Sequence, residues 1–220
     1  GSEMCIRDSV YGADGKRYLD FGAGIAVASL GHCHPHLVNA LKTQADTLWH
    51  VSNLYHIPAQ ERLAERLVIN SFADTVFFNN SGAEAVEFGF KMMRKYQADV
   101  RNSERYRIIS VEGAFHGRSL ACIAAGRQEK HLAGFGPIVD GFDQVAFGNL
   151  DEMRAAITPD TAGIVIEPVQ GEGGIRPIDA DYLKELRGIT NEFGLLLMFD
   201  EVQCGVGRTG ALYALSLIHI

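Results

Sequence analysis

Asp200 stands at the end of the apolar run Leu195–Phe199, and Glu201, Val202 and Gln203 follow it. A carboxylate in that position is costly to bury without a cation or hydrogen-bond donors. At the end of a parallel strand it is well placed to hold a cationic ring nitrogen, because a low dielectric strengthens the pairing once both partners are present. Val202 could then pack on one face of the ring, and Gln203 could hydrogen-bond a ring substituent. The plain alternative is that Asp200 only ends a strand, as a turn or helix cap.

Three further strings carry chemistry-bearing side chains. In Asn80-Ser81-Gly82-Ala83-Glu84, Ser81 and Glu84 have capping-box spacing, and Gly82 lets the backbone approach a ligand closely. Free amides and the helix dipole at such an end make a phosphate site, although a simple helix cap explains Ser81 equally well. In Glu112–Arg118, Phe115 can stack on a planar cofactor and Arg118 offers a fork for a carboxylate, with His116 between them. A core Phe, a satisfied His and a solvated Arg are the alternatives. The glycines of Glu167–Gly174 permit either a sharp loop that aims Glu172 into a cleft or an ordinary surface turn; Glu167 needs a partner if buried. His32, Cys33, His34 and His36 crowd around Pro35 without the spacing of a four-ligand zinc site, so no metal is expected.

The elements that must position these residues alternate. Asp14-Gly15 predicts a tight hairpin within Val10–Phe21. Helical spacing links Leu37, Val38, Leu41, Ala45, Leu48 and Trp49, and again Leu63, Ala64 and Leu67 after Pro58. Strands are expected at Thr75–Asn79, Arg107–Val111, Val145–Phe147, Ala162–Glu167 and Leu195–Phe199, with helices after Ser81, at Leu150–Ile157 and at Asp181–Phe193. Continuously apolar strands separated by helices indicate an α/β fold whose parallel sheet is covered on both faces. Ligands of such sheets sit beyond the carboxyl ends of the strands, where the four strings lie.

The chain has 220 residues, 47% hydrophobic and 21% charged, enough for one large domain or a domain and a subdomain. A net charge of −7 argues against nucleic acid as a partner. No apolar run approaches a membrane span, and the scattered Cys5, Cys33, Cys122 and Cys204 suggest reduced thiols, so a cytoplasmic location is expected. No G-x-G-x-x-G opens a helix after a strand, which disfavours a dinucleotide-binding domain.

The strings LDFGAGIAVASLGHCHPHLVNAL, FFNNSGAEAVE, AFHGRSLA, EPVQGEGGIRP and LLLMFDEVQCGVGRTGALYA occur in this order between Val10 and Ala214. Together they resemble the class III pyridoxal phosphate-dependent aminotransferases. The resemblance implies fold type I of the pyridoxal phosphate-dependent transferases: a partial large domain with a mostly parallel sheet at 57–214, and the N-terminal part of the small domain at 10–56. It implies pyridoxal 5′-phosphate as cofactor, with Ser81, Gly82 and Ala83 at its phosphate. Phe115 would stack on the ring beside His116, Asp200 would pair with the protonated ring nitrogen, Val202 would back the ring, and Gln203 would reach the phenolic oxygen. Arg118 would hold a substrate carboxylate. Glu172 would alternate between an arginine partner and open positions as two substrates take turns, and Tyr55 would face the donor side chain. The implied reaction moves the δ-amino group between N-acetylornithine and 2-oxoglutarate, in a homodimer when intact. Relatives acting on ornithine, succinylornithine or 4-aminobutyrate share most of these strings, and Asn53-Leu54-Tyr55 favours the acetylated donor.

Ala83 replaces a common Thr, harmless if backbone amides hold the phosphate, and Cys204 stands where Thr is common. The larger departure is that no lysine follows Lys184. The Schiff-base lysine is expected beyond Ile220, so this chain alone holds no catalytic lysine and is expected to be inactive. In the family the first strand, here near Val76–Phe78, pairs only with a strand from the C-terminal half, which leaves it without a neighbour here. A natural, non-catalytic truncated module is the competing reading. Residues 1–9 and 215–220 lack the patterning of their neighbours and are read as a non-native leader and tail.

Overall fold

The computed structural model describes residues 5, 6 and 8–214; most of the expected leader and all of the expected tail lie outside them. The chain divides into two units, Gly1–Arg66 and Leu67–Ile220.

In the first unit, β1 (Cys5–Ile6), β2 (Ser9–Tyr11) and β3 (Arg17–Leu19) form an antiparallel sheet in that order. Val10 faces Tyr18, and Gly15 turns the hairpin with φ of 77°, as Asp14-Gly15 predicts. A single left-handed turn, α1 (Ala23–Ala26), follows. Pro35 then opens α2 (Pro35–Ala45), where its fixed φ and missing N–H cost nothing, and His34 Nδ1 accepts from His36 N. Helical spacing carries this helix to Trp49, but it stops at Ala45, and Trp49 Nε1 donates back to the Ala45 carbonyl. His32 Nε2 lies 2.6 Å from Asp20 Oδ2. The division between the units falls within α3 (Pro58–Ile69).

The second unit holds the parallel sheet. Its elements are α4 (Gly82–Asp99), β4 (Arg107–Val111), α5 (Leu120–Gly126), α6 (Glu129–Leu132), β5 (Phe142–Val145), α7 (Leu150–Ala156) and β6 (Thr161–Ile166). The small antiparallel pair β7 (Val169–Gln170) and β8 (Arg176–Pro177), helix α8 (Ala180–Phe193) and β9 (Leu196–Phe199) complete it. The strand order is β5-β4-β6-β9, all parallel. Two-residue periodicity sends alternate side chains to opposite faces. Ile108 and Val165 pack with Val86, Phe90 and Met93 of α4 on one face. Ile109, Val111, Ile164 and Ile166 pack with Met153 of α7 and Leu183 and Leu186 of α8 on the other. Full burial of each such side chain stabilises by roughly 1.5–3 kcal/mol.

Two expectations for the sheet need correction. The short strand expected at Val145–Phe147 lies upstream, at Phe142–Val145, where Ile108 of β4 fixes its register. Thr75–Asn79 is not a strand. A strand exists through its ladder, and among the described residues β9 ends the sheet with no strand on its far side. A cavity of about 600 Å³ instead lies between Val76 and Phe77 and the edge of β9 at Leu197 and Phe199. Every residue of β6 is buried, whereas those of β9 are only half-buried.

Candidate functional site

The four strings converge at the carboxyl ends of β4, β6 and β9. Ser81 caps α4 in extended conformation, its Oγ accepting from Glu84 N at 3.2 Å, while Glu84 Oε2 accepts from Asn80 N at 2.6 Å. The first amides of a helix have no partner within it, so Gly82 and Ala83 present donors at the positive end of the dipole. A Cβ on Gly82 would lie 2.7 Å from Val202 Cγ1, and one on Gly117 would lie 2.8 Å from Ala83 Cβ. Gly117 also has φ of 124°, so the loop after β4 needs glycine there on both counts.

Asp200 is 6% exposed. Its backbone N–H donates to the Ile166 carbonyl, and its Oδ1 accepts from Val202 N at 3.1 Å. Its Oδ2 lies 2.7 Å from His116 Nδ1, and the His116 side chain is fully buried. His116 Nε2 is buried without a partner. Phe115 is half-buried, with the Arg118 guanidinium 5.3 Å from its ring centroid and the His131 ring edge-on at 5.7 Å. Burial, with the nearby Arg118 and Lys130 charges, lowers the pKa of His131.

Glu167, 5% exposed, accepts from Phe115 N at 2.9 Å. Burial pushes its carboxyl up to about 7, and the Asp200 charge adds to the push. The Phe115 hydrogen bond and the His116 and Arg176 charges oppose it. Glu172 pairs with Lys130 at 2.9 Å, and that hydrogen bond holds its carboxyl below the ordinary range. Burial pushes the Cys122 thiol up to about 11 and raises that of Cys204, so neither is a ready nucleophile.

A cavity of about 340 Å³ gathers seven of the residues singled out in the sequence: Gly82, Ala83, Phe115, His116, Arg118, Asp200 and Val202. Four others are not in its wall. Ser81 is exposed and serves as the cap. Gln203 is exposed and lies against Gly171, where an added Cβ would come within 1.5 Å of its Oε1. Glu172 is held by Lys130, and Tyr55, 66% exposed, belongs to the first unit.

Sequence reasoning missed the staple that fixes these loops. Arg176 Nη2 donates to the Glu112 carbonyl and to Gln170 Oε1, and its guanidinium lies 4.4 Å from the Phe147 ring centroid. A Cβ on Gly113 would collide with that nitrogen. The one available signal was the glycine after each contact point, Gly113 after Glu112 and Gly171 after Gln170. Lys130 and His131 carried no signal at all.

The cavity thus brings together helix amides that suit an anion, a buried carboxylate that suits a cation, and an aromatic ring. The sequence pattern described as aminotransferase class-III matches residues 7–220. The chain belongs to the class-III aminotransferases. It is 64% identical over 201 residues to the acetylornithine aminotransferase of Brucella melitensis, covering 91% of this chain and 50% of that one. Its identity to the acetylornithine aminotransferase of Methanocaldococcus jannaschii is 51% over 205 residues, covering 93% and 52%. Among solved structures, the ornithine aminotransferase of Toxoplasma gondii aligns with a TM-score of 0.92 at 28% identity, over 98% of this chain and 52% of that one. The N-acetylornithine aminotransferase of Stenotrophomonas maltophilia aligns with 0.83 at 36%, over 99% and 55%. The chain spans about half the length of the curated relatives it matches.

Proposed function

We propose that the whole protein containing this chain is a pyridoxal phosphate-dependent aminotransferase that moves the δ-amino group between N-acetylornithine and 2-oxoglutarate, a step of arginine biosynthesis. The observation that carries the reading is the buried Asp200–His116 pair facing the same cavity as the start of α4. The residues fit the cofactor: a cation-seeking carboxylate and anion-seeking amides stand in one wall, and His116 Nε2 is an orphaned polar atom beside them. When bound, the cofactor supplies an electron sink for the carbanion left when a substrate carbon loses its proton.

The chain's own residues bind and orient. Gly82 and Ala83 hold the phosphate by backbone amides, with Ser81 keeping the helix end open to it. Asp200 would hold the protonated ring nitrogen, with His116 Nδ1 at 2.7 Å from its Oδ2 keeping the carboxylate aimed. Phe115 would stack on the ring and Val202 would back it, excluding water, and Gln203, which lies against Gly171, would have to turn to reach the phenolic oxygen. Arg118 takes a substrate carboxylate, Glu172 gates the exchange of substrates, and Tyr55 faces the donor side chain. Residues 10–56 would then form the start of the small domain and 57–214 part of the large one.

Free thiols at Cys33, Cys122 and Cys204 are consistent with the reducing cytoplasm. Exposed Phe21, Ile25 and Trp49 suit a homodimer contact. An ω-aminotransferase for ornithine, succinylornithine or 4-aminobutyrate is the second reading, favoured by the TM-score of 0.92 to the Toxoplasma gondii enzyme. Glutamate formation by the whole protein from 2-oxoglutarate and each donor separates the readings. The highest kcat/KM is expected with N-acetylornithine. Preference for another donor would favour the second reading, and no transfer from any would reject both.

A further inference from the structure

Glu167 has no place in the roles above, yet it is among the most deeply placed ionisable groups of the site. It follows the fully buried β6, and pairing of Ile166 with Phe199 sets it beside Asp200 at the ends of neighbouring parallel strands. The two carboxylates grip successive residues of one loop. Glu167 takes the backbone N–H of Phe115, and Asp200 takes the imidazole of His116. None of the ion pairs among the described residues involves Glu167.

The charged and titratable groups that face it come from three elements. His116 stands on the loop after β4, Asp200 and Cys204 follow β9, and Arg176 lies on β8. Arg176 is already committed to the Glu112 carbonyl and Gln170. His116 has given its Nδ1 to Asp200. Asp200 accepts two donors, from His116 and Val202, whereas Glu167 accepts one, from Phe115.

We propose that Glu167 is a positioning residue of the cofactor site: it anchors the Phe115 backbone and carries a proton that leaves when a cationic ring nitrogen is seated against Asp200. The inference rests on the cofactor reading given above. A buried carboxylate beside a like-charged one is harder to ionise, and Glu167, with a single hydrogen-bond donor against two for Asp200, is the less supported of the pair. Without the ring, Glu167 is partly protonated near neutral pH, its carboxyl being pushed up to about 7 chiefly by burial. The ring nitrogen arrives with its own proton as a cation, offsets the Asp200 charge, and removes one reason for Glu167 to stay neutral. The Glu167 proton then passes to solvent. Its remaining oxygen lone pairs still accept from Phe115 N in either state, so the ring-stacking loop stays in place throughout.

Pyridoxamine 5′-phosphate is a suitable probe because it binds without a Schiff base. Calorimetric titration of the whole protein at pH 7, in buffers of differing ionisation enthalpy, counts the protons released. Wild type is expected to release up to about half a proton more than Glu167→Gln, which keeps an acceptor for Phe115 N. The pyridoxamine phosphate affinity of wild type should accordingly tighten more between pH 6 and pH 8 than that of the variant. Equal proton counts in the two proteins would overturn the assignment while leaving the cofactor reading intact. If neither protein binds the probe, both fall. Should the variant fail to fold, infrared difference spectra of wild type decide: loss of a protonated-carboxyl band on binding is expected, and no change in that region overturns the proposal.

Discussion

Replacing Glu167 by Gln should change how stability depends on pH, and the structure fixes both sign and size. The carboxyl is raised from an ordinary 4.5 to about 7 in the folded protein, chiefly by burial. A group raised on folding contributes its stability below its unfolded value, and that contribution is lost as the pH rises through the folded one. At about 1.4 kcal/mol for each pH unit, the loss between pH 4.5 and pH 7 amounts to about 3–4 kcal/mol. Gln has the same shape, offers an oxygen to Phe115 N, and does not ionise. Near pH 5 the two proteins should therefore differ little. By pH 8.5 the variant should be the more stable by up to about 3–4 kcal/mol, less whatever its amide loses for want of a second partner. Urea unfolding of the cofactor-free whole protein at fixed concentration, from pH 5 to pH 8.5, measures the difference directly, and an unchanged m-value licenses the comparison. Parallel stability curves across that range would show that Glu167 does not titrate there, and the charge argument would fail.

Two other substitutions probe the same cavity. Asp200→Asn keeps an oxygen for Val202 N but removes the charge, so pyridoxamine phosphate affinity should fall by roughly 10- to 100-fold, the cost of a hydrogen bond to a charged group; fluorescence titration reads it, and a loss under about threefold would remove Asp200 from the ring nitrogen. Gly117→Ala places a methyl 3.0 Å from the Ala83 backbone at φ of 124°, so unfolding stability should drop by about 1–3 kcal/mol with weaker probe binding. Wild-type stability and affinity in that variant would mean that the loop after β4 does not press on the start of α4.

The sheet was legible where a strand's identity is written in its own residues. β4, β6 and β9 are continuous apolar runs, and each lies within a residue of where the run predicts it. Asp14-Gly15 marks its hairpin because the turn geometry itself demands φ above zero. Thr75–Asn79 has the same apolar character, yet a strand requires a neighbour, and no property of these five residues says whether one is present. The end of α2 was illegible for a related reason: Leu48 and Trp49 keep the helical spacing although the helix ends at Ala45, with Asp46 as its C-cap. Spacing reports a face that can be buried, and the backbone's stopping point depends on capping, which here is supplied by ordinary residues rather than a glycine.

The site raises a different question, because the sequence offered two readings of each string and treated them as rivals. Asp200 shows that they are not. Its Oδ1 makes the local turn bond to Val202 N, which is the plain strand-ending reading, while Oδ2 is free to reach His116, 84 positions away in the chain. Ser81 divides in the same way: its hydroxyl caps α4, and that capping is what leaves Gly82 and Ala83 at the cavity wall. A carboxylate has two oxygens and a helix start has several unpartnered amides, so one set can build the turn while the other faces a ligand. Local spacing reveals the first set. The second is settled by contacts such as Phe115 with Glu167, 52 residues apart, and Arg176 with Glu112, 64 apart, which short-range patterns do not encode. Glu167 escaped assignment for this reason, since its sequence context showed only that a buried carboxylate needs a partner. The partner is a backbone N–H, the one group every residue but proline carries, and so no residue type could point to it.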